Sequence, residues 1–199
     1  MPERKSGVLV VAALVHALVL GLVLSLILLG GDDSDDLCLP GSQQPGITIA
    51  HDSVPDTPIA GYNHEQLVNA AWIMQAANAL GLSARDQTIG VMTAMGESSL
   101  RNIDYGDWET RGWTNPDGSR TTSIGLFQQQ EWWGSAEQRM DPATAARLFF
   151  ERLARVPDWR SMAPSHAIHR VQVNTDRDYY TRYQEDATAV VDVLSGPCE

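Results

Sequence analysis

Apolar residues fall along this chain in two regimes. From Val8 to Leu29 the run VLVVAALVHALVLGLVLSLILL is broken only by His16, Gly21 and Ser25 and carries no fixed charge. As a helix rising about 1.5 Å per residue it spans roughly 33 Å, the thickness of a bilayer's hydrocarbon layer. Further on, apolar positions recur at helical spacing in shorter stretches. Leu67, Ala71, Met74 and Leu80 follow a capping Asn63 and stop at Gly81, which predicts a helix over 64–80. Ser83 and Asp86 are spaced as a capping box ahead of Ile89, Met92 and Met95, so a second helix should run to Gly96 or Glu97. Asp141 and Pro142, a cap followed by a first-turn proline, open a third through Ala146, Phe149, Phe150 and Leu153. Two more are expected near 165–173 and 178–194. Between Arg101 and Ser123 the pattern dissolves into Asp, Gly, Thr and Trp around an Asn115–Gly118 turn, which reads as a small hairpin or irregular insert. The predicted class is α+β, mostly helical, preceded by a single transmembrane helix.

The flanks of the long apolar run orient it. Arg4 and Lys5 precede it and Asp32, Asp33, Asp35 and Asp36 follow, so residues 1–7 should be cytoplasmic and everything beyond the span outside. The run is longer than the h-region of a secretory signal peptide and lacks a small-x-small cleavage site, so residues 8–30 read as a retained single-pass signal anchor in the cell membrane. His16 within it is assigned no role. Residues 31–61, rich in Asp, Gly, Ser, Gln and Pro, read as an extracytoplasmic linker, and 62–199 as the folded domain. A chain of 199 residues suits one such domain with its accessories.

Charge then narrows the partners. Of 14 basic and 25 acidic side chains, Arg4, Lys5 and Glu3 precede the span, which leaves 12 against 24 outside it. An exterior that acidic disfavours nucleic acid, whose phosphates need a basic face, and disfavours anionic membrane surfaces. Cys38 and Cys198 lie in the compartment where disulfides persist, and they are expected to pair. His166 and His169 sit three apart and His51 and His64 lie upstream, but no acid or cysteine completes a ligand set, so neither metal nor cofactor is implied.

Two short motifs carry the chemistry. GESSL at Gly96–Leu100 is followed by IGLFQQ at Ile124–Gln129. In that order the pair resembles the lytic transglycosylase and goose-type lysozyme group, in which a Glu-Ser pair ends a helix and a Gly-Leu-x-Gln segment follows. The resemblance covers roughly 62–194 and implies a lysozyme-like domain that cleaves the MurNAc-GlcNAc β-1,4 bond of peptidoglycan strands. Glycoside cleavage needs a carboxylic acid still protonated near neutral pH, and Glu97, beside Met92, Met95 and Leu100, fits that demand. The resemblance also implies that Ser98 holds substrate or acid, that Gln128 lines the cleft, and that a tyrosine among Tyr179, Tyr180 and Tyr183 forms its wall, Tyr180 being the choice here. Tyr105 and Trp132, in an aromatic cluster with Trp108, Trp113 and Trp133, are expected to stack on sugar faces. Asp104, Asp107, Glu109 and Asp117 are the acids available as a second carboxylate, so transglycosylation and hydrolysis both stay open. A noncatalytic wall-binding module of an envelope, secretion or DNA-transfer machine is the alternative from another class. If Cys38 and Cys198 pair, thiol titration of the denatured, unreduced chain will find no free thiol, and two after reduction.

Overall fold

The structure is a computed structural model, and it describes residues 53–196. The span at 8–30, most of the linker, and Cys38 and Cys198 lie outside the described residues. Among the described residues no helix is long and apolar enough to cross a membrane.

The described chain is mostly helical. It comprises α1 (His64–Ala79), α2 (Ala84–Ser98), α3 (Asp107–Arg111), α4 (Ala136–Met140), α5 (Pro142–Leu153), α6 (Pro164–Gln172) and α7 (Gln184–Ser195). Three 3-10 turns lie between them, at Glu131–Trp133, Trp159–Ser161 and Tyr179–Tyr183. Helix starts follow local chemistry. Asn63 and Gln66 satisfy each other's backbone N–H at α1, and Ser83 and Asp86 do the same at α2. At α5, Asp141 Oδ1 accepts from Thr144 N at 2.9 Å, and Pro142 stands where no N–H is needed.

α2 is the centre of the molecule. It packs against α1, α5, α6, α7 and the Tyr179–Tyr183 turn, and ten of its fifteen residues are buried. A helix covered on nearly every side must satisfy its polar residues internally. Thr93 Oγ1 donates to Ile89 O at 2.7 Å, and Gln87 Nε2 donates to Met74 O on α1 at 3.3 Å. Around it Leu67, Ile73, Met74, Phe149, Phe150, Val190 and Val191 form the core.

Two features depart from the sequence pattern. Residues ahead of Asn63 already belong to the packed domain, since Val54 is buried and Ile59 pairs with Tyr62; a lone valine among Pro and Asp carries no periodicity to announce this. The helix expected over 178–194 opens as a 3-10 turn at Tyr179–Tyr183, where Ser165 Oγ takes the first-turn N–H of Tyr180 at 3.1 Å. The insert is irregular. Its Asn115–Gly118 turn closes through Asn115 N to Ser119 O at 2.8 Å and one isolated Thr114–Arg120 bridge, and among the described residues such pairings are isolated bridges only.

Arg139 of α4 holds the second motif in place. It is 6% exposed, and its guanidinium donates to the carbonyls of Gly134, Thr122 and Gln129 at 2.7–3.1 Å. Desolvation lowers its pKa, yet the three carbonyls solvate the cation. Gly125, at φ +76°, passes so close to Arg139 that a Cβ would stand 2.1 Å from its carbonyl oxygen. Arg139→Met should therefore lower stability by about 2–4 kcal/mol, since it strands carbonyls that methionine cannot bond. Urea unfolding is the check, with a shifted midpoint and an unchanged slope as the expected result.

Candidate active site

The last turn of α2 and the loop beyond it build the site. Ser98, buried, donates from Oγ to Ala94 O at 3.2 Å and to Leu126 O at 2.9 Å. That second bond ties the two motifs together. Ser99 and Leu100 then both take left-handed backbone, at φ +54° and +58°, which non-glycine residues adopt only under constraint. The constraint comes from α1, where Gln66 Nε2 donates to Ser99 O at 2.7 Å and Asn69 Nδ2 to Leu100 O at 2.9 Å. Burial of Leu100 completes the hold. α2 thus ends abruptly at its Glu-Ser pair.

Glu97 faces a cavity of about 290 Å³ whose walls include Asp107, Arg111, Gln128, Asn174, Asp176 and Tyr180. That volume sits at the small end of ligand clefts, which run roughly 300–1,000 Å³. Desolvation pushes the Glu97 carboxyl up to about 7, the hydrogen bond from Tyr180 opposes this, and the charge of Asp107 adds to it. The Tyr180 hydroxyl donates to Glu97 Oε1. Burial and the adjacent carboxylate raise the pKa of Tyr180, so it stays a donor at any ordinary pH. Its ring fits because residue 96 is glycine: a Cβ there would stand 2.6 Å from Tyr180 Cδ1. Tyr179 braces the wall, donating from its hydroxyl to Gly96 O at 3.1 Å and meeting the Tyr180 ring edge to face.

Of the residues singled out in the sequence, Glu97, Gln128 and Tyr180 share this cavity. Gln128 is pinned at φ +46°, and its Nε2 donates to Tyr105 O and Gly125 O. Ser98 acts from beneath, as a tie between motifs. Tyr105 contributes that carbonyl while its ring is 39% exposed, and Trp132, 61% exposed, does not line the cavity. Among the weighed acids only Asp107 is a wall. Asp117 accepts from Ser119 in the turn, and Glu109 caps Gly106 N at 3.0 Å. The Asn174–Asp176 wall went unread in the sequence. Its one signal was a polar NTD loop between a predicted helix and the tyrosine run. Arg111 lies over Trp113 at 4.8 Å, and both are walls. Among the described residues no cluster of three or more His, Cys, Asp or Glu is placed to hold a metal; His166 instead pairs with Asp178 at 2.7 Å. No protein family matches the chain, and no curated protein does either.

The raised carboxyl has a consequence for stability. A carboxyl whose folded pKa lies above its unfolded value of 4.5 binds more protons in the native state between those pH values, so stability falls as pH rises from 4.5 through about 7. At pH 8 the full penalty applies, on the order of 2 kcal/mol once partial access to water is allowed for. Glu97→Gln should therefore unfold at higher urea than the native chain at pH 8, and the gap should close by pH 4. Urea titrations at both pH values check this.

Proposed function

We propose that this chain cleaves peptidoglycan glycan strands as a membrane-anchored lytic transglycosylase, with Glu97 as the single general acid and base. One observation carries the reading: the glutamate of the Glu-Ser motif lines a cavity with a carboxyl raised to about 7 and bonded by a buried tyrosine. Such a group is substantially protonated at neutral pH and can donate to the leaving glycosidic oxygen. The carboxylate left behind, held by the Tyr180 hydroxyl, then takes a proton from the attacking hydroxyl. In transglycosylation that hydroxyl belongs to the muramyl unit itself and an anhydro-sugar closes. The lysozyme-like fold belongs to the same proposal, supported by the helical domain and by the Ser98–Leu126 bond that joins the two motifs. So does location: an anchor at residues 8–30 would confine cutting to wall near the membrane, as local remodelling or the opening of a secretion or DNA-transfer passage requires.

A hydrolytic muramidase is the second reading, favoured by one observation, that Asp107 is a wall of the same cavity and raises the Glu97 pKa by its charge. In that case Asp107 would serve the incoming water.

Incubating the full chain in detergent with purified peptidoglycan and weighing the released fragments by mass spectrometry separates these readings. The expected products are anhydro-muropeptides, with Glu97→Gln lowering release by roughly a thousandfold or more and Asp107→Asn leaving it within about tenfold. Reducing-end fragments one water heavier, lost in Asp107→Asn, would establish the muramidase. No release, with retained sedimentation on peptidoglycan, would leave a noncatalytic wall-binding module.

A further inference from the structure

α3 brings the cavity the one basic side chain among its described walls, Arg111, against three acids, Glu97, Asp107 and Asp176. Asp107 and Arg111 stand four apart on that helix, a spacing that ordinarily pairs opposite charges. Here no ion pair joins them. α3 is five residues long and stops at Gly112, whose φ of +67° turns the chain back until Trp113 N donates to Asp107 O at 3.4 Å. Thr121 Oγ1 braces that turn, donating to Trp113 O at 3.3 Å. The turn sets the Trp113 ring against Arg111, and the guanidinium carbon stands over the ring at 4.8 Å from its centre.

Other arginines over aromatic rings already have partners. Arg120, over Trp108, pairs with Glu109 at 3.8 Å. Arg152, over Trp133, donates to Trp132 O at 3.1 Å, and Arg182, over Tyr179, donates to Tyr179 O at 3.0 Å. The Arg111 guanidinium makes neither an ion pair nor a hydrogen bond among the described residues. It is exposed, as is Trp113, and both stand on the cavity wall. A guanidinium over a ring keeps N–H donors for a planar acceptor, and a carboxylate takes two of them in parallel. Peptidoglycan offers such groups on the substituent of its muramyl sugar, as the carboxylates of the stem peptide or as the lactyl carboxylate left when the stem is removed.

We propose that Arg111, backed by Trp113, binds a carboxylate on the muramyl substituent of the glycan strand, so that the site selects strands with an ionised substituent over uncharged ones. This rests on the reading of peptidoglycan as the substrate and adds to it a specificity-determining side chain. The acids of the cavity set the direction. Asp107 and Asp176 repel an anionic substituent from the rest of the wall, so it passes over the end of α3.

The test is calorimetric titration of the full Glu97→Gln chain, in detergent micelles, with soluble uncross-linked peptidoglycan strands in three forms. One is intact, one has its carboxylates converted to carboxamides, and one is stripped of stems by an amidase, which leaves the lactyl carboxylate. Intact strands should bind about tenfold more tightly than the carboxamide form. Arg111→Gln in the same background should remove that preference, Arg111→Lys should keep part of it through charge alone, and high salt should narrow it. Arg160→Gln controls for net charge, since Arg160 stands over Trp159 at 4.5 Å and is no wall of the cavity; it should leave the preference whole. Stripped strands bound as tightly as intact ones assign the lactyl carboxylate, and stripped strands bound as weakly as the carboxamide form assign the stem. Equal binding of intact and carboxamide strands, a preference that survives Arg111→Gln, or an equal loss in Arg160→Gln would overturn the proposal. A native chain that releases nothing from peptidoglycan, with a preference still removed by Arg111→Gln, would instead overturn the catalytic reading and leave Arg111 as the carboxylate site.

Discussion

The partial removal of one carboxyl group from water, at the end of a helix buried on nearly all sides, is the constraint on which the site depends. Glu97 occupies the last turn of α2, where a carboxylate would ordinarily reach solvent and titrate as a surface acid does. Here the ring of Tyr180 closes over that turn, and it does so only because Gly96 offers no Cβ to meet it. Desolvation and the tyrosine hydrogen bond pull in opposite directions, and desolvation is the larger. The result is a group poised between its two protonation states at neutral pH, which a proton donor that must then act as acceptor requires.

Holding that group still is the task of the polar contacts around it, few of which touch the cavity. Ser98 joins the two motifs, Arg139 gathers three carbonyls beneath the second of them, and Gln172 Nε2 reaches Phe127 O at 3.1 Å from the end of α6. Gln66 and Asn69 secure the two left-handed residues that end α2. Strained backbone recurs at Ser99, Leu100, Gln128 and Val173, all at or near the cavity's supports. Strain of this kind persists where surrounding contacts over-determine the chain, and it is common where geometry serves chemistry.

The same arrangement sets stability against function. A carboxyl raised to about 7 opposes folding at every pH above its unfolded value, so the protein tolerates a destabilising group at the centre of its candidate site. A central helix packed by five other elements offsets that burden.

Sequence alone determined the features that are settled within a few residues. The caps at Asn63, Ser83 and Asp141 close over three positions, so the starts of α1, α2 and α5 were legible, as was the placing of Glu97 at a helix end. Motif order pointed to Glu97, Ser98 and Gln128 because those residues are near neighbours of signals that chain position preserves. Tertiary structure decided everything that depends on distance in space. Only folding brings the Asn174–Asp176 loop and Tyr180, some eighty residues away, against Glu97, makes Asp107 rather than Asp104, Glu109 or Asp117 a wall of the cavity, and turns Trp132 outward. The proton affinity of Glu97 belongs to the same class. It is a sum of desolvation and contacts from several segments, and no local stretch of sequence contains that sum.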